Sequence, residues 1–306
     1  MNNIISHIFN VEFIGVILRL STPLLFAAMG NVVSDRAGVT NIGMEGSMTL
    51  AAFSGVAISA YSGSAWLGAA GAVAVSILFS CFLGYLNLYL KTNIIMAGIA
   101  LNTFAASFTV FLLYMLTGQK ANSAALASKQ LPGIRIPVID KIPVLNEILS
   151  GHNVLVYVSL LSIAAVYFLL NRTRLGMHIR AVGENETAAS SVGIRTKRVK
   201  MAALGISGLI SGLGGVYMSM GYLSMFSNGM IAGRGWIGIA ASAMGRAKGI
   251  PTTISAFLFG IFDSVSNEMQ LGNISAELIM TLPYFAVMAG MIIYSVKRTK
   301  KEQKNA

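Results

Sequence analysis

Nine apolar runs, each close to the length of a membrane span, account for most of this chain: residues 11–33, 44–61, 65–90, 93–117, 153–171, 201–226, 230–247, 251–269 and 276–296. About 20 mostly apolar residues suffice to cross a bilayer as a helix. No soluble core absorbs that much apolar sequence. The chain is 55% hydrophobic and 11% charged, where a soluble domain carries about 25% charged residues. Lipid offers no partner to a bare peptide group, so the spans must be helices or a closed barrel, and runs this long read as helices. The expected fold class is all-α: a polytopic integral membrane helical bundle of about nine spans (about eight to ten). One transmembrane domain, residues 1–306, is expected, with a polar loop at 172–200 and a basic tail at 297–306.

The net charge is +11, and its placement sets the topology. Seven of the 22 basic residues (Arg172, Arg174, Arg180, Arg195, Lys197, Arg198, Lys200) sit in the polar loop, and five (Lys297, Arg298, Lys300, Lys301, Lys304) in the tail. Basic segments flanking spans stay in the cytoplasm. The charge is therefore topology bias with contact to anionic lipid headgroups, and nucleic acid is not an expected partner. With loop and tail inside, the turn holding Arg246 and Lys248, residue Lys91 and the pair Asp35–Arg36 also fall inside. Residues 118–152, 226–229 and 271–277 fall outside, as does the N-terminus. Pro132, Pro137 and Pro143 keep 118–152 from forming one helix. The start of the chain reads as mature sequence whose first run is retained as a span. The single cysteine, Cys81, excludes an intrachain disulfide, and His7, His152 and His178 lack ligand spacing.

Two stretches are too rich in glycine and polar residues for lipid-facing helix: AGVTNIGMEG (37–46) and IAGRGWIGIAASAMG (231–245). Broken or re-entrant pieces survive only where protein or a cavity surrounds them. Paired broken helices in two halves mark a transport path near the midplane. Intramembrane polar groups become translocation-path candidates on this reading: Asn41, Glu45, Asn102, Asp263 and Asn267. Glu45 needs a donor at membrane depth, which the backbone N–H groups of a broken helix can supply, and it reads either as a structural clasp or as a solute contact. Asn102 reads as an interhelical bridge or a solute contact. Asp263 and Asn267, four residues apart, share a helix face. The small-residue stretch 205–221 permits close helix packing. No Walker lysine loop, H-E-x-x-H or nucleophile elbow occurs. The chain is expected to be no enzyme and to bind no cofactor or metal. Deep acids are few, which favours external energy input over an ion relay. Residues 183–194, GENETAASSVGI, read as a short cytoplasmic helix that a partner's groove can hold.

Three motifs carry a resemblance across most of the chain: RAGVTNIGMEGSM (36–48), LGMHIRAVGENETAASSVGI (175–194) and AGRGWIGIAASAMGRAKG (232–249). The chain resembles ATP-binding-cassette importer permeases of the branched-chain amino acid, ribose and simple-sugar type. The form NIGMEG with AGRGWIGIA looks most like the nucleoside-import branch; simple-sugar or branched-chain amino acid permeases, and an ion-coupled carrier, are the alternatives. The resemblance implies a bacterial cell-membrane subunit that pairs with an ABC ATPase carrying ATP and Mg, a second homologous permease, and an extracellular solute-binding lipoprotein or periplasmic protein. It implies that the cytoplasmic helix docks on the ATPase through Glu184, Asn185, Glu186, Ala188, Ala189 and Gly193. Glu186 is separated from Ala188–Ala189 by Thr187, where the family motif has Glu-Ala-Ala followed by Gly.

Overall fold

The computed structural model describes residues 11–134 and 150–269, together with positions 285, 288 and 290, which are helical. The tail, and the expected last run at 276–296 apart from those three positions, lie outside the described residues. Every named element is a helix: α1 Val11–Arg36, α2 Met44–Ser62, α3 Ala65–Leu88, α4 Ile94–Thr117, α5 Val154–Arg172, α6 Arg174–Glu184, α7 Glu186–Ser191, α8 Thr196–Val216, α9 Arg234–Met244 and α10 Gly249–Met269. A π-helical turn, Tyr217–Tyr222, extends α8.

Local chemistry sets the helix limits. Ser64, Asn93, Asn153, Thr173 and Asn185 each accept a first-turn N–H at the start of α3, α4, α5, α6 and α7. These short polar side chains satisfy donors that would otherwise be orphaned. Gly63 and Gly118 close α2 and α4 in the left-handed region, at φ of 67° and 71°.

Among the described residues, six helices are long and apolar enough to cross a bilayer: α1, α3, α4, α5, α8 with its extension, and α10. The other two runs expected to span behave differently. α2 is a largely buried helix of 19 residues. α9 has only 11 residues, about 16 Å of rise, or half of a hydrocarbon core about 30 Å thick. The sequence reading placed a run at 230–247; the structure replaces its first part with bends and turns through residues 223–233. Irregular backbone at that depth requires protein around it, and Phe226, Met230 and Ile231 are buried accordingly.

α1 is central and touches α5, α8, α9 and α10. α8 lies between α1 and α3, so close to α3 that a Cβ on Gly208 would stand 2.6 Å from Ser80 Oγ and 2.7 Å from the Ser76 carbonyl oxygen. Ser76 Oγ donates to the Gly208 carbonyl across this seam (2.6 Å). The small residues at 205–221 thus pack as expected. At one end of the bundle, residues 118–134 fold over the π-helical turn: Ser123 N–H donates to the Phe226 carbonyl (2.8 Å) and Leu131 N–H to that of Met220 (3.1 Å). The opposite end gathers Arg36, α6 and the turn after α9, where Arg36 Nε donates to the Ala247 carbonyl (2.7 Å). These segments group as the charge bias requires.

Pro23 lies inside α1. It has no N–H, which leaves the Arg19 carbonyl, four residues earlier, without its helical donor. Tyr217 Oη donates to that carbonyl (3.1 Å), and Tyr217 is 1% exposed. Tyr217→Phe is therefore expected to cost about 1–2 kcal/mol by leaving a part-buried acceptor unpaired. Adding Pro23→Ala restores the backbone donor and should recover most of that loss. Denaturation of the four proteins of this double-mutant cycle in detergent measures it; strict additivity would remove the link.

Candidate functional site

Two helix N-termini meet inside the bundle, and a carboxylate in the first turn of one accepts from the first amides of the other. The chain leaves α1 through a turn at residues 37–43 and re-enters helix at Met44, so Glu45 sits in the first turn of α2. Its side chain reaches the start of α9: Gly233 N–H donates to Oε1 (2.8 Å) and Gly235 N–H to Oε2 (2.8 Å). First-turn N–H groups have no intrahelical acceptor, and the partial positive charge of a helix N-terminus favours an anion. Gly235 permits the approach, because a Cβ there would lie 2.7 Å from Oε2. Gly233 supplies the left-handed cap at φ 77°.

Arg234 stands between these two amides in sequence. Its Nη2 donates to Asp263 Oδ2 on α10 at 3.0 Å, with both side chains mostly buried. One arginine thus lies beside two acids. Asn102 of α4 holds the other side of the α2 start: Nδ2 donates to the Ile42 carbonyl (2.8 Å), and Gly46 N–H donates to Oδ1 (2.8 Å). Asn41 is fully buried and faces α3 and α8, donating from Nδ2 to Ser80 Oγ (3.2 Å) and Ser207 Oγ (3.0 Å). Of the path candidates, Glu45, Asn102 and Asp263 are drawn together around the start of α2, Asp263 through Arg234. Asn41 binds a separate seam. Asn267 is exposed on α10. Arg234 was not among the candidates; an arginine between glycines inside an apolar run was the signal for it.

The polar loop is two helices, not the single helix expected at 183–194. Glu184 ends α6, Asn185 caps α7 by accepting the Ala188 N–H (3.0 Å), and Glu186 occupies the first turn of α7. Only Glu186 of the two acids is therefore placed to complement the α7 dipole. It also pairs with Lys200 of α8. That hydrogen bond holds its carboxyl below the usual carboxylate range. The pair therefore helps hold α7 above the usual carboxylate pKa and loses that effect as pH falls through the lowered one. The carboxylate is 49% exposed, so the contribution is small. Ala189, expected at a docking contact, is 4% exposed and packs inward. Ala188 is exposed, as is Val192, at 76%, and Gly193 ends the piece at φ 85°. Val192 was not singled out beforehand. Gly183 lies so close to the Arg36 carbonyl that a Cβ would clash, which seats the end of α6 on the turn leading to Glu45.

Residues 13–296 match the family described as branched-chain amino acid transport system / permease component. The guanosine ABC transporter permease protein NupQ of Bacillus subtilis (strain 168) is 34% identical over 81% of this chain and 80% of its own length. The nucleoside ABC transporter permease protein NupC of Lactococcus lactis subsp. cremoris is 31% identical over 81% and 80%. The solved structure of PsaBC from Streptococcus pneumoniae in complex with Fab superposes with a TM-score of 0.54 at 13% identity, covering 96% of this chain and 94% of that chain. At that identity the likeness is one of fold.

Glu45→Ala leaves two part-buried amides unpaired and is expected to cost about 2–4 kcal/mol, with Glu45→Gln intermediate. Thermal denaturation in detergent measures both against the exposed-site control Thr103→Ala. A Glu45→Ala protein as stable as that control would show that the carboxylate does not hold the two helix starts.

Proposed function

Because the chain belongs to the family of branched-chain amino acid transport system permease components, we propose that it imports nucleosides as one membrane subunit of an ABC transporter, by alternating access. The chain is the non-enzymatic permease subunit; ATP is hydrolysed by a partner ATPase. The observation that carries the nucleoside reading is the match to nucleoside and guanosine permeases at 31–34% identity over 81% of the chain. In the proposed assembly, a second permease completes the pathway, and a solute-binding lipoprotein or periplasmic protein delivers solute from outside. ATP and Mg bind the ATPase.

In this reading α6 and α7 are the cytoplasmic handle. Val192, Ala188 and the exposed edge of α7 meet the ATPase, while Asn185, Ala189 and the Glu186–Lys200 pair fix α7 to its own chain. Motion passed to α6 acts along two routes. One runs through Gly193 into α8, which packs on α1, α2 and α3. The other runs through Gly183 to the turn at 37–43, and so to the clasp at Glu45. Two half-buried helix starts held by one carboxylate, a few side chains and small residues can shift as rigid pieces. A permease supplied by a binding protein needs little solute affinity of its own.

Uptake of labelled uridine or guanosine in a strain deleted for this chain should fall, while uptake of labelled ribose should not. Unchanged nucleoside uptake in a strain without a second nucleoside system would overturn the substrate assignment. For the handle, Val192→Glu should insert and fold normally but reduce co-purification of the ATPase about five- to tenfold. With Cys81 replaced by alanine, a cysteine substituted for Val192 should react with an impermeant thiol reagent in inverted vesicles only. Reaction in intact cells would reverse the proposed orientation.

A further inference from the structure

A cavity of about 340 Å³ opens where the end of α1, the last turns of α5, α6 and the start of α10 meet. Three of its walls carry cations: Arg36 at the end of α1, Arg180 on α6 and Lys248 in the turn before α10. No carboxylate is among the lining residues, and none of the three cations forms an ion pair among the described residues. Arg36 is oriented there by its bond from Nε to the Ala247 carbonyl (2.7 Å), which commits one nitrogen and leaves the charge uncompensated. Arg180 Nε is buried without a hydrogen-bond partner. The start of α10, a helix of 21 residues, forms another wall through Gly249, Ile250 and Pro251, adding the positive end of its dipole. Clustering like charges around a hollow is costly without an anion to hold.

Apart from Asn171, the remaining side-chain walls are largely apolar and lie on the outside of the bundle. Tyr167 is 53% exposed and Ile250 is 65% exposed, and both line the cavity beside helices that cross the bilayer. A free anion gains nothing from such walls, whereas a lipid places its phosphate among the cations and its chains along Tyr167 and Ile250. Basic pockets between transmembrane helices at the cytoplasmic boundary suit anionic headgroups. We propose that the hollow bounded by Arg36, Arg180 and Lys248 is a binding site for the phosphate of an anionic membrane phospholipid. The inference stands on the membrane-spanning fold and not on the identity of the transported solute.

The test uses the whole transporter, purified with its ATPase and partner permease in neutral detergent. Dioleoylphosphatidylglycerol should raise its melting temperature and remain bound in native mass spectrometry; dioleoylphosphatidylcholine and inorganic phosphate should do neither. Arg180→Gln and Lys248→Gln should each lower phosphatidylglycerol affinity about fivefold, the worth of one cation near an anionic surface. Lys248 is exposed, so Lys248→Gln tests the site even if Arg180→Gln folds poorly. An equal shift with phosphatidylcholine would overturn the proposal, as would undiminished phosphatidylglycerol binding by Lys248→Gln. A matching shift with inorganic phosphate would assign the site to a soluble anion instead. Lipid binding that appears only after the ATPase is stripped away would assign the cations to an acidic side chain of that subunit, and would equally overturn it.

Discussion

The Glu45 carboxylate, carried on the start of α2, closes the start of α9 where the helical ladder is interrupted inside the bundle. Each helix start brings N–H groups that lipid cannot satisfy, and each would be intolerable alone. Bringing the start of α2 beside the start of α9 lets one side chain accept from Gly233 and Gly235, while Asn102 accepts the Gly46 N–H from the other side. Arg234 enters with the α9 start and requires its own acid, which Asp263 provides from α10. The clasp therefore ties α2, α4, α9 and α10 at one level. The same physical demand appears at Pro23, where a missing donor in α1 is answered by Tyr217.

The handle is joined to that level by close packing. Gly183 rests against the Arg36 carbonyl, and the turn beyond Arg36 leads within nine residues to Glu45. Glu186 is tied to Lys200, so α7 follows α8. A partner gripping the exposed edge of α7 would act on elements that are already coupled, with no flexible linker to absorb the motion. On the proposed reading, the surface for such a grip comprises the exposed Ala188 and Val192, whereas Ala189 points inward.

Much of the bundle was legible in the sequence because lipid imposes a long apolar run on each ordinary span. Helices α1, α3, α4, α5, α8 and α10 fall on the expected runs. The interruption at 37–46 was legible from glycine and polar content, and so was the need of Glu45 for backbone donors. Which backbone supplied them was not: Gly233 and Gly235 are 188 and 190 residues away, and no local pattern encodes that pairing. Arg234 escaped notice because its partner lies on another helix. The handle was read as one helix because residues 183–194 have continuous helical composition; Asn185 divides it by capping, a choice made by the backbone that brings Gly183 against α1.

By itself, the sequence determined the membrane class and the broken segments, since these follow from hydropathy and glycine content counted along the chain. It also carried the family, through motifs at 36–48, 175–194 and 232–249. The tertiary structure alone decided that 230–247 would be a half-helix, that Glu45 and Arg234 would be held by different partners, that Ala189 would face inward, and that Arg36, Arg180 and Lys248 would surround one hollow. Those outcomes depend on distances between residues far apart in sequence, and only packing of the helices fixes such distances.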